Sequence, residues 1–336
     1  PRLIVVRTCF ILMLVLVSGC ELVADEGHQL ALLDVPESFD PIPVPSHNPT
    51  TRAKVELGER LFSDVRLSED GSVSCASCHL PERAFADPRP LSIGVHGRTG
   101  IRNSPTLVNI AYQNLLFWDG GAFTLESQAL GPLENPVEMD MNLGALLDRI
   151  SSDASYQAAF EDVFGQEVNV LTLTQALGAF QRTIRSGGAP IDRYLSGQED
   201  ALSASARRGM ILFENKADCA SCHSGFLFTD QTYQNNGLTF AAADSGRARI
   251  TLNSDDFAKF RVPTLRNVGI SAPFMHDGRF FSLEEVINHY DRGGTNSRGQ
   301  SGLVRSLQLS DMEKADLKAF LLSLSDDFIL SGLPDA

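Results

Sequence analysis

A mostly α-helical chain in two related halves, connected by long loops, is predicted by three features of this sequence. The pentapeptide Cys75-Ala76-Ser77-Cys78-His79 recurs unchanged as Cys219-Ala220-Ser221-Cys222-His223. Apolar residues return at helical spacing in several segments, whereas strand signals are few. Each pentapeptide is preceded by a similar string, Leu57-Gly58 to Phe62 and Arg208-Gly209 to Phe213, with a phenylalanine four residues after a glycine, as expected of a duplicated unit.

Residues 1–20 place Arg2 and Arg7 ahead of an apolar run from Cys9 to Val17, followed by Ser18-Gly19-Cys20. This is the pattern of a secretory signal, and the run is too short for a comfortable membrane span. Small residues before Cys20 resemble a bacterial lipobox, which implies cleavage there and a lipid-anchored protein in the periplasm. Residues 21–50, with Pro36, Pro41, Pro43, Pro45 and Pro49, read as an extended tether rather than a helix. Apolar spacing predicts a helix over Ala53–Phe62. The first pentapeptide follows a turn at Gly71, and 80–103 reads as loop. Leu143–Ile150, Ala154–Phe164 and Leu171–Arg185 read as helices. Ser186-Gly187-Gly188-Ala189-Pro190 breaks the pattern. It divides an N-terminal domain, 51–188, from a C-terminal domain, 189–336, whose last residues are free to pack back on the first. Ser203 caps a helix running to Asn215 and into the second pentapeptide.

The 336 residues, 43% hydrophobic and 21% charged, suffice for about two globular domains. A net charge of −14 argues against nucleic acid and against anionic lipid surfaces as partners. Six cysteines leave only Cys9 and Cys20 outside the pentapeptides. The folded part is therefore expected to hold neither a disulfide nor a free thiol, although the compartment is oxidising.

C-x-x-C-H is the attachment site of a c-type haem: the cysteines form thioethers and the adjacent histidine ligates the iron. The duplicated string implies two haems, on Cys75, Cys78 and His79 and on Cys219, Cys222 and His223. A four-cysteine zinc site would not require a histidine after each pair. A thioredoxin-like pair would be single, and a Cys75–Cys78 disulfide would close too small a loop. With two haems one can relay electrons while the other reacts, and the sixth iron position decides which does which.

Further strings carry a resemblance. Arg102-Asn103-Ser104-Pro105-Thr106-Leu107, Phe117-Trp118-Asp119-Gly120-Gly121, Leu125-Glu126-Ser127-Gln128-Ala129, Pro136-Val137-Glu138-Met139, Phe260 to Asn267 and Pro273-Phe274-Met275-His276-Asp277-Gly278 stand in one order. Together they resemble the bacterial diheme cytochrome c peroxidase and MauG superfamily, over roughly residues 54–294. The resemblance implies two cytochrome c-like haem domains, the N-terminal haem reacting with peroxide. It implies Glu138 as catalytic carboxylate, Gln128 as its amide partner, and Trp118 between the haems. It also implies Ca2+ at Asn103 with the carbonyls of Ser271 and Pro273. A carboxylate in a partly apolar pocket can take a proton from one peroxide oxygen and return it to the other.

Two positions separate the branches of the family. His96 lies near the histidine that ligates the resting N-terminal haem in typical peroxidases and leaves on activation. Tyr290 stands where typical peroxidases place a methionine on the C-terminal haem and where MauG places tyrosine. Met275 and His289 are neighbouring alternatives. A phenolate favours ferric and higher states, where a thioether favours Fe(II). The expected activity is peroxide reduction to water, with electrons from a small cytochrome c or cupredoxin. The alternatives are MauG-like oxidation of a protein side chain, with oxidising equivalents stored across both haems, and a plain diheme electron carrier. A homodimer is compatible with each. Gly121, where many relatives carry arginine, has no explanation in the sequence.

Overall fold

The computed structural model describes residues 32–238 and 244–326. The signal-like segment with Cys9 and Cys20, and the last ten residues, lie outside them. The architecture is mostly helical, and the helices begin where small polar side chains satisfy the free N–H groups of their first turns. Thr51 caps α1 (Arg52–Phe62), and Thr124 caps α2 (Leu125–Glu134). Asn142, Asp153 and Asn169 cap α3 (Leu143–Ser151), α4 (Ala154–Phe164) and α5 (Val170–Arg182). Pro190 opens α6 (Pro190–Leu195), and Ser203 caps α7 (Ala204–Glu214). The short α8 (Ala248–Thr251) precedes α9 (Leu283–Asp291) and α10 (Asp311–Leu322), which begin with Ser282/Glu285 and Ser310/Glu313 capping boxes. Tyr233–Gln234 and Phe260–Arg261 form an antiparallel pair, β1 and β2.

Two buried clusters organise these elements. One gathers apolar residues between Leu32 and Ile184, the other residues between Ala189 and Leu324. They meet at the Ser186–Pro190 string, where Asp326 returns to accept hydrogen bonds from Ser186 Oγ and the amides of Gly187 (2.9 Å) and Gly188 (3.1 Å). Helix α5 stops short of the expected Arg185 because Arg185 turns away to donate to the carbonyls of Leu32 and Asp34, both at 2.6 Å. Residues 32–50 are extended as expected, yet they are no free tether. Phe39, Ile42, Asn48 and Thr50 are buried, and the Phe39 ring packs 4.6 Å from that of Phe226. An extended segment can bury single side chains without helical periodicity, which is why the composition did not reveal it.

The repeated glycines explain themselves in three dimensions. A β-carbon on Gly58 of α1 would overlap the carbonyl of Ala176 on α5, and one on Gly209 of α7 would overlap the carbonyl of Asp316 on α10. In both pairs the next contact is a phenylalanine, Phe180 or Phe320, and each of these meets the phenylalanine of the repeat. Phe62 lies 5.1 Å from Phe180 and Phe213 lies 5.0 Å from Phe320. The same crossing is therefore built twice. Gly58→Ala and Gly209→Ala should each cost about 1–3 kcal/mol by overpacking. Denaturant unfolding measures this, and a midpoint unchanged in both variants would show that the helices yield freely.

Candidate functional site

Each pentapeptide forms one tight turn. The amides of Cys78 and His79 donate to Cys75 O at 3.1 and 3.0 Å, and those of Cys222 and His223 to Cys219 O at 3.1 and 2.8 Å. Each turn packs on its own cluster, Cys75 on the first and Cys219 on the second. Burial pushes the Cys75 and Cys219 thiols up to about 12 and raises Cys78 and Cys222 as well. Among the described residues, no three cysteine, histidine or acidic side chains converge to hold a metal ion. The four sulfurs are not paired as disulfides.

The histidines are oriented for ligation. His79 Nδ1 lies 2.8 Å from Phe85 O, and His223 Nδ1 lies 3.0 Å from Phe228 O. A carbonyl only accepts, so Nδ1 carries the proton and Nε2 keeps its lone pair. Burial lowers both imidazoles and so favours this neutral form. Phe85 (φ 55°) and Phe228 (φ 53°) adopt the left-handed region, at a cost of about 1–2 kcal/mol each. Their rings pack at 6.3 Å on Phe62 and Phe213, which connects the helix crossings to the imidazoles. A covalently attached haem fits both turns: paired sulfurs held in protein, then a neutral imidazole oriented by a backbone carbonyl at Nδ1.

Glu138 belongs to the first site. Its charge is close enough to raise both Cys75 and Cys78. The residue is reached by solvent, yet protein surrounds it closely, and this burial raises its carboxyl. Asn135 opposes the shift by donating to Glu138 Oε1 at 2.6 Å. The Val95 amide donates to Glu138 O at 2.8 Å, so the 94–97 loop is clasped to the same residue. Gln128 is half-buried on α2, and no hydrogen bond joins it to Glu138. His96 sits in the clasping loop, but its ring is turned to acids. Nε2 is 3.0 Å from Glu69 and Nδ1 is 3.5 Å from Asp70. In this conformation neither ring nitrogen is offered to iron, and ligation would require breaking both contacts.

The second site is a cavity whose wall includes Cys219, Cys222, His223, Met275 and Tyr290. Burial pushes the Tyr290 phenol up to about 12, opposed by Asn236. The Asn236 amide lies 3.4 Å from Tyr290 Oη and 3.3 Å from Met275 Sδ, so one donor serves both ligand candidates. His289 faces elsewhere: its Nε2 lies 2.9 Å from Asn236 O. Asn103, Trp118, Ser271 and Pro273 line the same cavity. Trp118 is buried, and its indole N–H donates to Asn103 O at 2.8 Å. The Asn103 amide donates to the carbonyls of Arg89 (3.0 Å) and Pro90 (3.2 Å). Gly121 is also accounted for: a side chain there would crowd Ile250 and Asp119, and Arg249 of α8 supplies the guanidinium that meets Asp119, at 2.6 Å.

Asn135, Asn236, Phe85 and Phe228 were not anticipated as site residues. Asn135 alone had a local signal, standing three residues before Glu138.

Comparison with known proteins agrees with this geometry. Residues 52–200 match the family model described as di-haem cytochrome c peroxidase. The chain is 39% identical over 293 residues to the methylamine utilization protein MauG of Methylophilus methylotrophus, covering 85% of this chain and 86% of that one. It is 36% identical over 253 residues to the cytochrome c peroxidase Ccp of Escherichia coli, covering 73% and 54%. Among solved structures, a MauG-like protein associated with microbial copper homeostasis superposes with a TM-score of 0.82 at 36% identity, covering 88% of this chain and 95% of that one. The diheme peroxidase BthA from Burkholderia thailandensis gives 0.74 at 27% identity, covering 88% and 92%. With two matching attachment turns, two oriented imidazoles and relatives at this identity over most of its length, the chain belongs to the di-haem cytochrome c peroxidase and MauG family of oxidoreductases, and membership implies two c-type haems.

Proposed function

We propose that the chain is a diheme peroxidase that reduces hydrogen peroxide to water at the site of Cys75, Cys78 and His79. Electrons reach that site through the second one from a small periplasmic cytochrome c or cupredoxin. The observation that carries this reading is Glu138, close enough to the first attachment turn to raise Cys75 and with its own carboxyl raised by the protein around it. The haem bound there supplies the redox equivalents for cleaving the O–O bond. Glu138 takes the proton from the inner peroxide oxygen and delivers it to the leaving oxygen. A carboxyl raised by burial is closer to the working pH and serves both steps better than an ordinary one. Asn135 holds the carboxylate in place, and Gln128 on α2 is the amide that orients peroxide. A plain electron carrier would have no use for this acid–base group. Asn103, with the carbonyls of Ser271 and Pro273, offers the hard oxygen donors that Ca2+ prefers. Residues 1–20 direct the chain to the periplasm, with Cys20 as lipid anchor.

Tyr290 favours a second reading. A buried phenol facing the His223 cavity suits a site that shares oxidising equivalents rather than one that stores electrons. On that reading the chain, like MauG, oxidises a protein side chain. Peroxide consumption by the fully oxidised protein, against a requirement for prior half-reduction, separates the two.

Glu138→Gln should lower peroxide turnover by about 10²–10⁴-fold while leaving two haems per chain. Steady-state assay and haem content check this, and undiminished turnover would remove the catalytic role. The same variant tests the electrostatics. A carboxyl raised in the folded state favours folding fully below its unfolded pKa, and that contribution is lost as pH rises through the folded value. Glu138→Gln should therefore gain stability relative to the parent between pH 4 and pH 7, read by thermal unfolding at both. Tyr290→Phe should abolish the six-coordinate low-spin spectrum of the second haem. An unaltered spectrum would instead assign Met275 as the ligand.

A further inference from the structure

We infer that the guanidinium of Arg261 is an anion site in the wall of the second cavity, and that the anion it takes is a propionate of the haem attached at Cys219 and Cys222. The inference rests on the family's two-haem content. Arg261, on β2, is 4% exposed and lines the cavity. Other buried guanidiniums have carboxylates: Arg266 pairs with Asp192 at 2.6 Å, Arg182 with Glu126 at 2.5 Å, and Arg102 with Asp119 and Asp244 at 2.6 Å. Arg185 has none, but it spends its donors on the two backbone carbonyls of the extended arm. Arg261 has neither solution. Its Nη1 donates to the neutral Gln113 at 2.5 Å, and its Nε reaches Phe117 O only at 3.4 Å. Among the described residues it makes no ion pair.

A buried, unpaired cation is costly, and burial depresses the Arg261 guanidinium to about 10, an unusual value for arginine. Something must offset that cost. The one carboxylate lining the cavity, Asp218, accepts from Ser221 Oγ at 2.5 Å instead. Peroxide is neutral and does not answer the charge. A haem fixed by thioethers in this cavity brings two carboxylates, and a guanidinium fork matches carboxylate geometry.

The backbone adds a consequence. The Arg261 amide donates to Trp118 O at 2.8 Å, so the residue that holds the propionate also holds the Trp118 backbone. Arg261 thus sets the second haem against Trp118 and biases that haem toward the reduced state by its positive charge.

The test uses the diheme protein with Arg261→Gln and Arg261→Lys. Thioether attachment keeps two haems per chain in both. In Arg261→Gln the midpoint potential of the second haem should fall, that of the first should not move, and the propionate bending bands in resonance Raman spectra should shift. Arg261→Lys, which keeps the charge but loses the fork, should retain the potential and shift the bands. Parental potential and parental bands in a folded Arg261→Gln would overturn the inference. If that variant does not fold, parental bands in Arg261→Lys would do the same. A parent with fewer than two haems would overturn the cofactor assignment beneath it.

Discussion

Two helix pairs that cross at glycine contact distance set the positions of both histidines. At Gly58 and at Gly209 the backbone of the opposite helix occupies the space a side chain would need. The close approach brings Phe62 onto Phe180 and Phe213 onto Phe320. Those rings support Phe85 and Phe228, whose carbonyls fix the tautomers of His79 and His223. Each link is ordinary packing or an ordinary hydrogen bond. Their order converts a helix crossing into an oriented imidazole, and the left-handed strain at each phenylalanine is held by the packing beneath it.

Beyond the repeated scaffold the two halves diverge, and the divergence is chemical. The first site has an ionisable carboxyl enclosed near its cysteines and a loop clasped to that residue's backbone. The second has a phenol, a thioether and a shared amide donor in a mostly apolar wall. The first offers an ionisable carboxyl, the second two side chains able to ligate iron. A duplicated scaffold thus carries two chemically different sites, with the helix crossing left as it was.

Much of this was legible in the sequence because it depends on local spacing. The attachment strings, five of the helices, the Ser203 cap and the glycine–phenylalanine repeat are short-range signals, and those helices fall within three residues of expectation, whereas α2, α6, α9 and α10 were not read from the sequence. Glu138 was legible only through a family string, since a lone glutamate reads as a solvated surface acid. Three features were hidden. The Phe85 and Phe228 carbonyls lie six and five residues beyond their histidines, so no common spacing marks them. Asn236 meets Met275 and Tyr290 across 39 and 54 residues of chain. His96 has the right neighbours in sequence, yet the acids of a preceding turn, Glu69 and Asp70, determine where its ring points. Contacts of high sequence separation carry the ligand chemistry, and single-sequence reading has no access to them.

The string Phe117-Trp118-Asp119 shows how the two halves are held in register. Phe117, in the left-handed region, packs its ring against Gly131 of α2 in the first half. Trp118, the next residue, lines the cavity of the second. Asp119, fully buried, binds Arg102 from one side and Arg249 from the other, and Arg102 in turn binds Asp244. Two cations and two anions thus close on each other around Asp119, whose burial would make its charge costly alone. Such a network is weak evidence for added stability, because apolar residues of the same volume could replace it. Its geometric content is firmer: bonds of 2.6 Å in three directions leave the Trp118 backbone little freedom. Phe117 and Asp119 thus hold Trp118 from either side in the chain.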